Sequence, residues 1–409
     1  MDDMMYDWNV EGTAQFSAKK VELHDETLRD GIQCPSVTDP SIEVKEDIVR
    51  LLAKLGVDSV DVGLPGAGPR AVEDSMRLVE MVRDEKLPIR VGCAARTHPN
   101  DIAPVIEISQ KTGVPIEIMT FLGSSPIRML AESWDEDRLE SLTRTAIRMG
   151  VEAGLPMSFV TEDTVRSHPK TLRRLFDAAV EEGATRLVLC DTVGHVTPEG
   201  VRNLVGWVDA HLRGLGVRDR VLLDWHGHND RGLALVNGLV AADAGCDRVH
   251  GTVLGVGERV GNTPVDLMLV NLKLEGLPTA ELASLAELVD LVSRHVEVPI
   301  PVSYPVFGRD AFRTGTGVHA AAVIKAQAKG DAWLADRIYS GVPAAWFGRQ
   351  QEIEIGHQSG LSNVRFWLEA RGYPVDERLV QVIFDAAKKE NRLLSNAEVT
   401  ALVERQVAH

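Results

Sequence analysis

Cysteine is scarce in this 409-residue chain: Cys34, Cys93, Cys190 and Cys246 are far apart and form no CxxC pair. That spacing excludes a disulfide framework and a structural zinc knuckle. No run approaches the roughly 18 apolar residues a bilayer-spanning helix needs. The opening Met1-Asp2-Asp3-Met4 is acidic where a secretory signal is basic and then apolar, so a cytoplasmic location is expected. Basic residues are in deficit: 44 Lys and Arg against 60 Asp and Glu give 44 − 60 = −16. A nucleic-acid-binding surface needs clustered cations to displace counterions and does not fit that balance. Low-complexity runs are missing too. With 44% hydrophobic and 25% charged residues, the chain is globular, with length for two or three domains or one large barrel with additions.

From Val21 onward, short apolar, β-branched runs recur at 21–28, 58–64, 88–95, 116–123, 157–163, 186–194, 221–226 and 248–254, with helical spacing between most of them. The first helical stretch is the plainest. Val44, Ile48, Leu51, Leu52 and Leu55 recur at intervals of three and four and draw one apolar stripe. Asp39-Pro40 supplies an N-cap followed by proline at the first helical position, and Gly56 supplies a left-handed stop. Eight successive strand–helix units approach the roughly 250 residues of a (β/α)8 barrel. A doubly wound open sheet is the rival, but eight units without an odd strand favour closure. The expected fold is therefore α/β: a loosely docked arm over 1–20, a TIM barrel over 21–285, then small, mainly helical subdomains at 286–330 (linker included) and 331–409. Glu297–Phe307 holds three prolines and reads as the linker; 309–330, 331–349 and 376–405 read as helical, with Glu352–Ile355 a short strand.

In such a barrel, reactive groups gather at the C-terminal ends of the strands. Those ends read Arg29-Asp30, Pro65, Arg96, Gly123-Ser124-Ser125, Glu162-Asp163, Asp191-Thr192, His226-Gly227-His228-Asn229-Asp230 and Gly257-Glu258-Arg259, far more polar than the strand bodies before them. His226 and His228 lie two apart on a strand, so both imidazoles face one side and can share a metal. Asp30, ending the first strand, is suitably placed as a carboxylate ligand. Two imidazoles, a carboxylate and an amide oxygen make a borderline set that suits Mn²⁺, Zn²⁺ or Fe²⁺, with Mg²⁺ open if waters are retained. Blander readings stand beside these: Glu258-Arg259 as an ion pair shaping the eighth loop, Arg96 as partner of a carboxylate, His24 as a satisfied core group, and Trp346, Phe347 and Trp367 as core.

The runs Leu28-Arg29-Asp30-Gly31-Ile32-Gln33, His226-Gly227-His228-Asn229-Asp230-Arg231-Gly232-Leu233-Ala234 and Gly255-Val256-Gly257-Glu258-Arg259-Val260-Gly261-Asn262 follow one another in the chain. Together they resemble the three hallmark motifs of the 2-isopropylmalate synthase, homocitrate synthase and citramalate synthase family of metal-dependent TIM-barrel acyltransferases, over residues 21–370. The resemblance implies condensation of acetyl-CoA with a 2-oxo acid, then thioester hydrolysis to CoA and a 2-alkylmalate. It implies that Asp30, His226 and His228 bind the metal (Mn²⁺, Mg²⁺ or Zn²⁺), with Asn262 as a weaker ligand. Arg29 would stabilise charge at the oxo-acid carbonyl, Thr192 would hold its carboxylate, and Glu162 would take part in proton transfer. His319 in Gly317-Val318-His319 and Tyr339 before Ser340-Gly341-Val342-Pro343 resemble residues that the tail adds to the site. Family members are dimers in which the tail covers the partner's barrel, so a homodimer is expected, with these two acting across the interface. Which of Glu162, His319 and Tyr339 is the base stays open.

The chemistry asks for such a set. A 2-oxo acid can chelate a metal through its carbonyl and carboxylate oxygens, and the weakly acidic acetyl methyl needs a base and a stabilised enolate. Departures from the family pattern bear on substrate. Position 32 is Ile where most members carry an acidic residue, Met119 stands where isopropylmalate synthases usually carry His, and His195 stands where a small or apolar residue is common. Ile32, Leu64 and Met119 offer apolar surface where a distal carboxylate would want a cation. An apolar 2-oxo acid such as 2-oxoisovalerate is therefore expected, with Glu258 as a further substrate contact; homocitrate or citramalate synthase-type activity is the alternative. The chain stops where many isopropylmalate synthases continue into a regulatory domain, and leucine feedback of that type is expected to be absent. A 3-hydroxy-3-methylglutaryl-CoA lyase shares the barrel and metal site but carries a cysteine in its eighth-strand glycine loop, where this chain has Glu258-Arg259. Biotin-dependent carboxyltransferases call for a catalytic lysine and a carrier domain. A non-catalytic metabolite-binding protein would have no reason to keep Arg29, Asp30, both histidines, Glu162 and His319 together.

Overall fold

A computed structural model describes residues 5–6, 8–10, 20–277 and 279–407. The expected arm over 1–20 lies largely outside the described residues. Eight strands, β1 (Glu22–Asp25), β2 (Ser59–Asp61), β3 (Arg90–Arg96), β4 (Glu117–Gly123), β5 (Met157–Glu162), β6 (Arg186–Asp191), β7 (Leu222–Gly227) and β8 (Arg248–Gly251), pair in parallel with their sequence neighbours. β1 pairs with β8 in the register Glu22↔Arg248 to Asp25↔Gly251, which closes the barrel. The (β/α)8 architecture expected from the eight apolar runs is thus the fold, and the open sheet is excluded.

Between the strands run α1 (Ile42–Lys54), α2 (Pro69–Asp84), α3 (Pro99–Thr112), α4 (Pro126–Glu132), α5 (Glu136–Glu152), α6 (Pro169–Glu181), α7 (Pro198–Gly214), α8 (Ala234–Ala244) and α9 (Val265–Leu274). Many of them start on proline, whose fixed φ suits the first helical position and whose missing N–H costs nothing there. Side-chain caps finish the job: Ser125, Asp135 and Thr197 accept backbone N–H bonds from the first turns of α4, α5 and α7, and the imidazoles of His98 and His168 do so at α3 and α6. The N-cap of α1 is Ser41, not Asp39 as the sequence suggested. The Asp39 carboxylate is instead drawn to Lys45 (2.7 Å) and Arg70 (2.6 Å). Gly56 does take the left-handed conformation that stops α1, with φ +75°. The apolar stripe of α1 buries Ile48, Leu52 and Leu55 completely.

Barrel interiors are commonly filled by branched aliphatics, but the floor of this one is ionic. The fully buried Arg248 donates to Asp224 (2.7 Å), to both oxygens of Glu117 (2.5 and 2.9 Å) and to Ser59 (3.1 Å). Arg186 bridges Asp224 (2.8 Å) and Glu22 (2.7 Å). Burial pushes the Glu117 carboxyl up, but Arg248 and Arg186 more than reverse it and hold it at about 2. Each charge is therefore paired, the condition under which buried ions are tolerated.

The barrel unit runs through Pro299 and the second compact unit is Ile300–His409. The division thus falls inside the three-proline stretch, not at 285. The reason is α10 (Leu285–His295), whose buried Leu285, Leu288, Val289 and Val292 make it part of the barrel unit, against α1. The second unit contains β9 (Arg313–Thr314), α11 (Gly317–Ala328), α12 (Ala332–Arg337), β10 (Glu352–Ile353), α13 (Leu361–Ala370), α14 (Glu377–Lys389) and α15 (Asn396–Val407). It clusters as one body, without a break at 330, because α11 packs on both α12 and α13. Its core joins Ile355, Val364, Trp367, Leu368, Leu379, Ile383 and Val403. Among the described residues no helix is long and apolar enough to cross a membrane.

Candidate metal centre and active site

The first wall of the site is the turn that follows β1. Asp25 accepts from the Thr27 N–H and hydroxyl (both 2.9 Å), and the Glu26 carbonyl accepts from the Arg29 and Gly31 N–H groups. This tight curl sets Glu26, Arg29 and Asp30 at the mouth of the barrel. On β7, alternation places His226 and the adjoining His228 on the same side. The eighth loop is tied to β7 by backbone: Asn229 N–H donates to the Gly261 carbonyl (2.9 Å), and His228 bridges Asn262. Gly261 has φ +93°, and a Cβ there would lie 1.9 Å from the Gly255 carbonyl oxygen, so only glycine lets the loop close this tightly. Asn262 is thereby brought to Asp30, to which its Nδ2 donates at 2.5 Å.

Asp30, His226 and His228, all buried, come together as predicted. Asp30 Oδ2 lies 3.6 Å from His226 Nε2 and 3.5 Å from His228 Nε2, and the two Nε2 atoms are 3.2 Å apart. A triangle with these edges has a circumradius of about 2.0 Å, which matches common metal–nitrogen and metal–oxygen bond lengths. The protonation states also fit. Glu26 Oε2 lies 2.7 Å from His226 Nδ1. Burial opposes ionisation of Glu26, but Arg29, His226 and His250 hold its carboxyl well below the usual range. An ionised carboxylate only accepts, so Nδ1 carries a proton toward Glu26, and Nε2 is the ring nitrogen turned toward Asp30. Burial, then His226, lowers His228 to about 4, so His228 is neutral near pH 7. Burial pushes Asp30 up, yet Arg29 and His226 bring it below its ordinary value. The Asn262 Oδ1, buried and without a partner, adds a fourth donor atom beside the group. This donor set fits a divalent cation.

A cavity of about 330 Å³ opens over these residues. Arg29 reaches into it while donating to Asp61 (3.0 Å) and Glu26 (2.5 Å), with Asp30 at 3.4 Å. Burial, against the pull of Arg29, pushes the Asp61 carboxyl up to about 7. Glu162 lines the same cavity and pairs with Arg128 at 3.3 Å; burial raises it above the usual carboxylate range despite that cation. Arg128 reaches Glu162 by crossing Gly123, where a Cβ would meet its Cγ at 2.3 Å. Thr192 Oγ1 accepts from the Asp163 N–H (2.8 Å), which leaves its own hydroxyl proton for a ligand. Leu64, Met119 and Glu258 also line the cavity.

Some expectations fall elsewhere. Ile32 is not part of this lining; the short helical turn Gly31–Gln33 presents Gln33 instead. Arg96 is bound bidentately to Asp101 (2.7 and 2.8 Å), and Arg259 to Asp230 (2.9 and 3.0 Å), so both act as ion pairs that shape loops. His24 is fully buried as expected but only half satisfied: Nδ1 meets Ser59 at 2.8 Å, while Nε2 has no partner. His319 and Tyr339 lie in the second unit, where their rings pack at a tilt of 33° with centroids 4.3 Å apart. Sequence reasoning missed Glu26, Asp61, Phe121, Val160, Val188, Cys190 and His250, all of which line the cavity. The signal for Glu26 was present: it follows directly on β1, two residues after His24, and stands in the same turn as Arg29.

A family model described as HMGL-like matches residues 20–292. The chain is 28% identical to a 2-isopropylmalate synthase of Shouchella clausii (91% of this chain, 70% of that protein) and 30% identical to one of Heliobacterium modesticaldum (95% and 75%). It is also 30% identical to a Methanopyrus kandleri protein carrying an (R)-citramalate synthase assignment (94% and 72%). Among solved structures it resembles a hydroxymethylglutaryl-CoA lyase of Pseudomonas aeruginosa, at 19% identity with a TM-score of 0.57 (68% of this chain, 93% of that one). A pyruvate carboxylase of Rhizobium etli, at 15% identity, gives a TM-score of 0.52 (96% and 36%). At such identities these two likenesses concern the fold alone.

Proposed function

Since the chain belongs to the HMGL-like family, and within it to the 2-isopropylmalate synthase and citramalate synthase family, we propose that it condenses acetyl-CoA with an apolar 2-oxo acid such as 2-oxoisovalerate and hydrolyses the thioester to give a 2-alkylmalate. The single observation that carries this reading is the convergence of Asp30, His226 and His228 within 3.2–3.6 Å of one another in a cavity that also holds Arg29 and Glu162.

Asp30, His226 and His228, with Asn262 beside them, would hold the divalent cation, whose Lewis acidity would polarise the oxo-acid carbonyl. Arg29, kept charged by Glu26, Asp61 and Asp30, faces the negative charge that develops on that oxygen. The free hydroxyl proton of Thr192 suits the substrate carboxylate. Glu162, whose raised pKa strengthens it as a base, would take the methyl proton of acetyl-CoA as the new carbon–carbon bond forms. Water then cleaves the thioester and releases CoA as a thiol. Leu64, Met119, Phe121, Val160 and Val188 surround the site with apolar surface, which supports an apolar substrate side chain. His319 and Tyr339 are proposed to serve the same site from a second copy in a homodimer. Mixing His226→Ala with His319→Ala chains, each inactive alone, is expected to restore part of the activity; no restoration would count against this arrangement.

Thiol release decides the main reading. With Mn²⁺ or Mg²⁺ and acetyl-CoA, a panel of 2-oxo acids is expected to yield free CoA, fastest with branched apolar acids. Release with none of them, or cleavage of 3-hydroxy-3-methylglutaryl-CoA without any 2-oxo acid, would overturn it.

A further inference from the structure

Glu26 is neither one of the cation's proposed ligands nor the proposed base, yet several functional side chains meet on it. Its carboxylate is buried, with Oε2 at 2.7 Å from His226 Nδ1 and Oε1 at 2.5 Å from Arg29 Nη2 and 3.2 Å from His250 Nδ1. His250, itself buried, turns its other nitrogen to Asp224 Oδ2 at 3.1 Å. Asp224 is fixed in turn by Arg248 (2.7 Å) and Arg186 (2.8 Å). A continuous hydrogen-bonded chain therefore runs through the barrel interior, from Arg248 on the floor through Asp224, His250 and Glu26 to His226 and Arg29 at the mouth.

We propose that Glu26, held in place by His250, is the positioning residue that sets both the cation-facing imidazole of His226 and the guanidinium of Arg29. The inference rests on the reading of His226 as a cation ligand. The geometry leaves the carboxylate little freedom, since one oxygen fixes the His226 tautomer while the other fixes the Arg29 fork. Carboxylates behind metal-bound imidazoles orient the ring and raise its basicity. A glutamine at position 26 cannot do both, because its amide N–H₂ would face either His226 Nδ1–H or Arg29, donor against donor. Both nitrogens of His250 already face carboxylates, so it serves as a tie between Glu26 and Asp224 and not as a ligand of a second ion, although His24, Glu26 and His250 could geometrically hold one.

Calorimetric titration of the metal-free protein with Mn²⁺ tests this. The wild type is expected to take up one Mn²⁺ per chain, and Glu26→Gln to bind it about 10- to 100-fold more weakly. His250→Gln, whose amide still donates to Glu26, should fall between the two. Thr143→Ala, a buried change on α5, serves as a control for general destabilisation and should keep wild-type affinity whatever its melting temperature. Wild-type affinity in Glu26→Gln would overturn the inference and leave the proposed function standing. If that variant does not fold, His250→Gln carries the test in the same way. Two Mn²⁺ per chain, with the second lost in His24→Ala, would also overturn it. No uptake by the wild type would instead overturn the functional reading beneath it.

Discussion

Glu162 and Arg128 form a pair whose electrostatics can be read in a pH profile. Burial raises the Glu162 carboxyl and Arg128, 3.3 Å away, lowers it. Arg128→Met removes the lowering partner, so the pKa of Glu162 rises and the base is protonated at a higher pH. The acidic limb of kcat/KM is therefore expected to move up in pH; no movement, or movement downward, would count against Glu162 as the base. Glu162→Gln should lower kcat by roughly 10²-fold or more, the usual reach of general base catalysis. At this scale the sequence revealed the residues with distinctive chemistry. HxH spacing and Asp30 were legible because imidazoles and carboxylates at strand ends have few other uses, whereas Arg29 and Asn262 were singled out only through the family resemblance. Leu64 and Met119 were also readable, but Phe121, Val160 and Val188 were not, since an apolar strand residue looks the same whether it faces a substrate or a helix. Ile32 failed for a related reason: the 3-10 turn Gly31–Gln33 rotates side chains by about 120° per residue, and Gln33 takes the inward direction.

Individual elements bring these side chains together, and the eighth loop is the most demanding of them. Gly261→Ala would press a methyl group against the Gly255 carbonyl at a left-handed φ. The expected cost is on the order of 1–3 kcal/mol of stability, along with weaker cation binding as Asn262 and β7 lose their alignment. Thermal melts and Mn²⁺ titration of the variant check both; wild-type values would contradict this account of the loop. The elements themselves were largely visible beforehand, because a barrel strand buried on both faces reads as a continuous apolar run and prolines mark helix starts. Capping was harder to read. Asp39-Pro40 has the composition of an N-cap, but Lys45 and Arg70 lie close enough to take the Asp39 carboxylate for ion pairs. That competition depends on tertiary contacts no local pattern contains.

Across the whole molecule, the ionic floor of the barrel makes stability sensitive to charge. Arg248→Met would strand Glu117 and Asp224 in the interior at a cost of roughly 3–5 kcal/mol, visible as a lower urea midpoint. Two opposite pH effects are built in. Glu117 sits at about 2 in the fold against 4.5 as its ordinary value, so its contribution is complete above pH 4.5 and is lost as pH falls toward 2. Burial, relieved only in part by hydrogen bonds from Thr27, puts Asp25 at about 7 against 3.8. Its contribution is complete below pH 3.8 and is lost as pH rises through 7. Asp25→Asn is expected to reduce the fall in melting temperature between pH 5 and pH 8, and an undiminished fall would contradict the assignment. None of this network announced itself in the sequence, because Arg248, Glu117 and Asp224 come from three strands and only barrel closure makes them neighbours.

The central claim, that Asp30, His226 and His228 hold one divalent cation, is tested most directly by equilibrium dialysis of the metal-free chain against Mn²⁺. The wild type is expected to retain one ion per chain, and a folded Asp30→Ala/His226→Ala/His228→Ala variant to retain none. Undiminished retention in the triple variant would contradict the account.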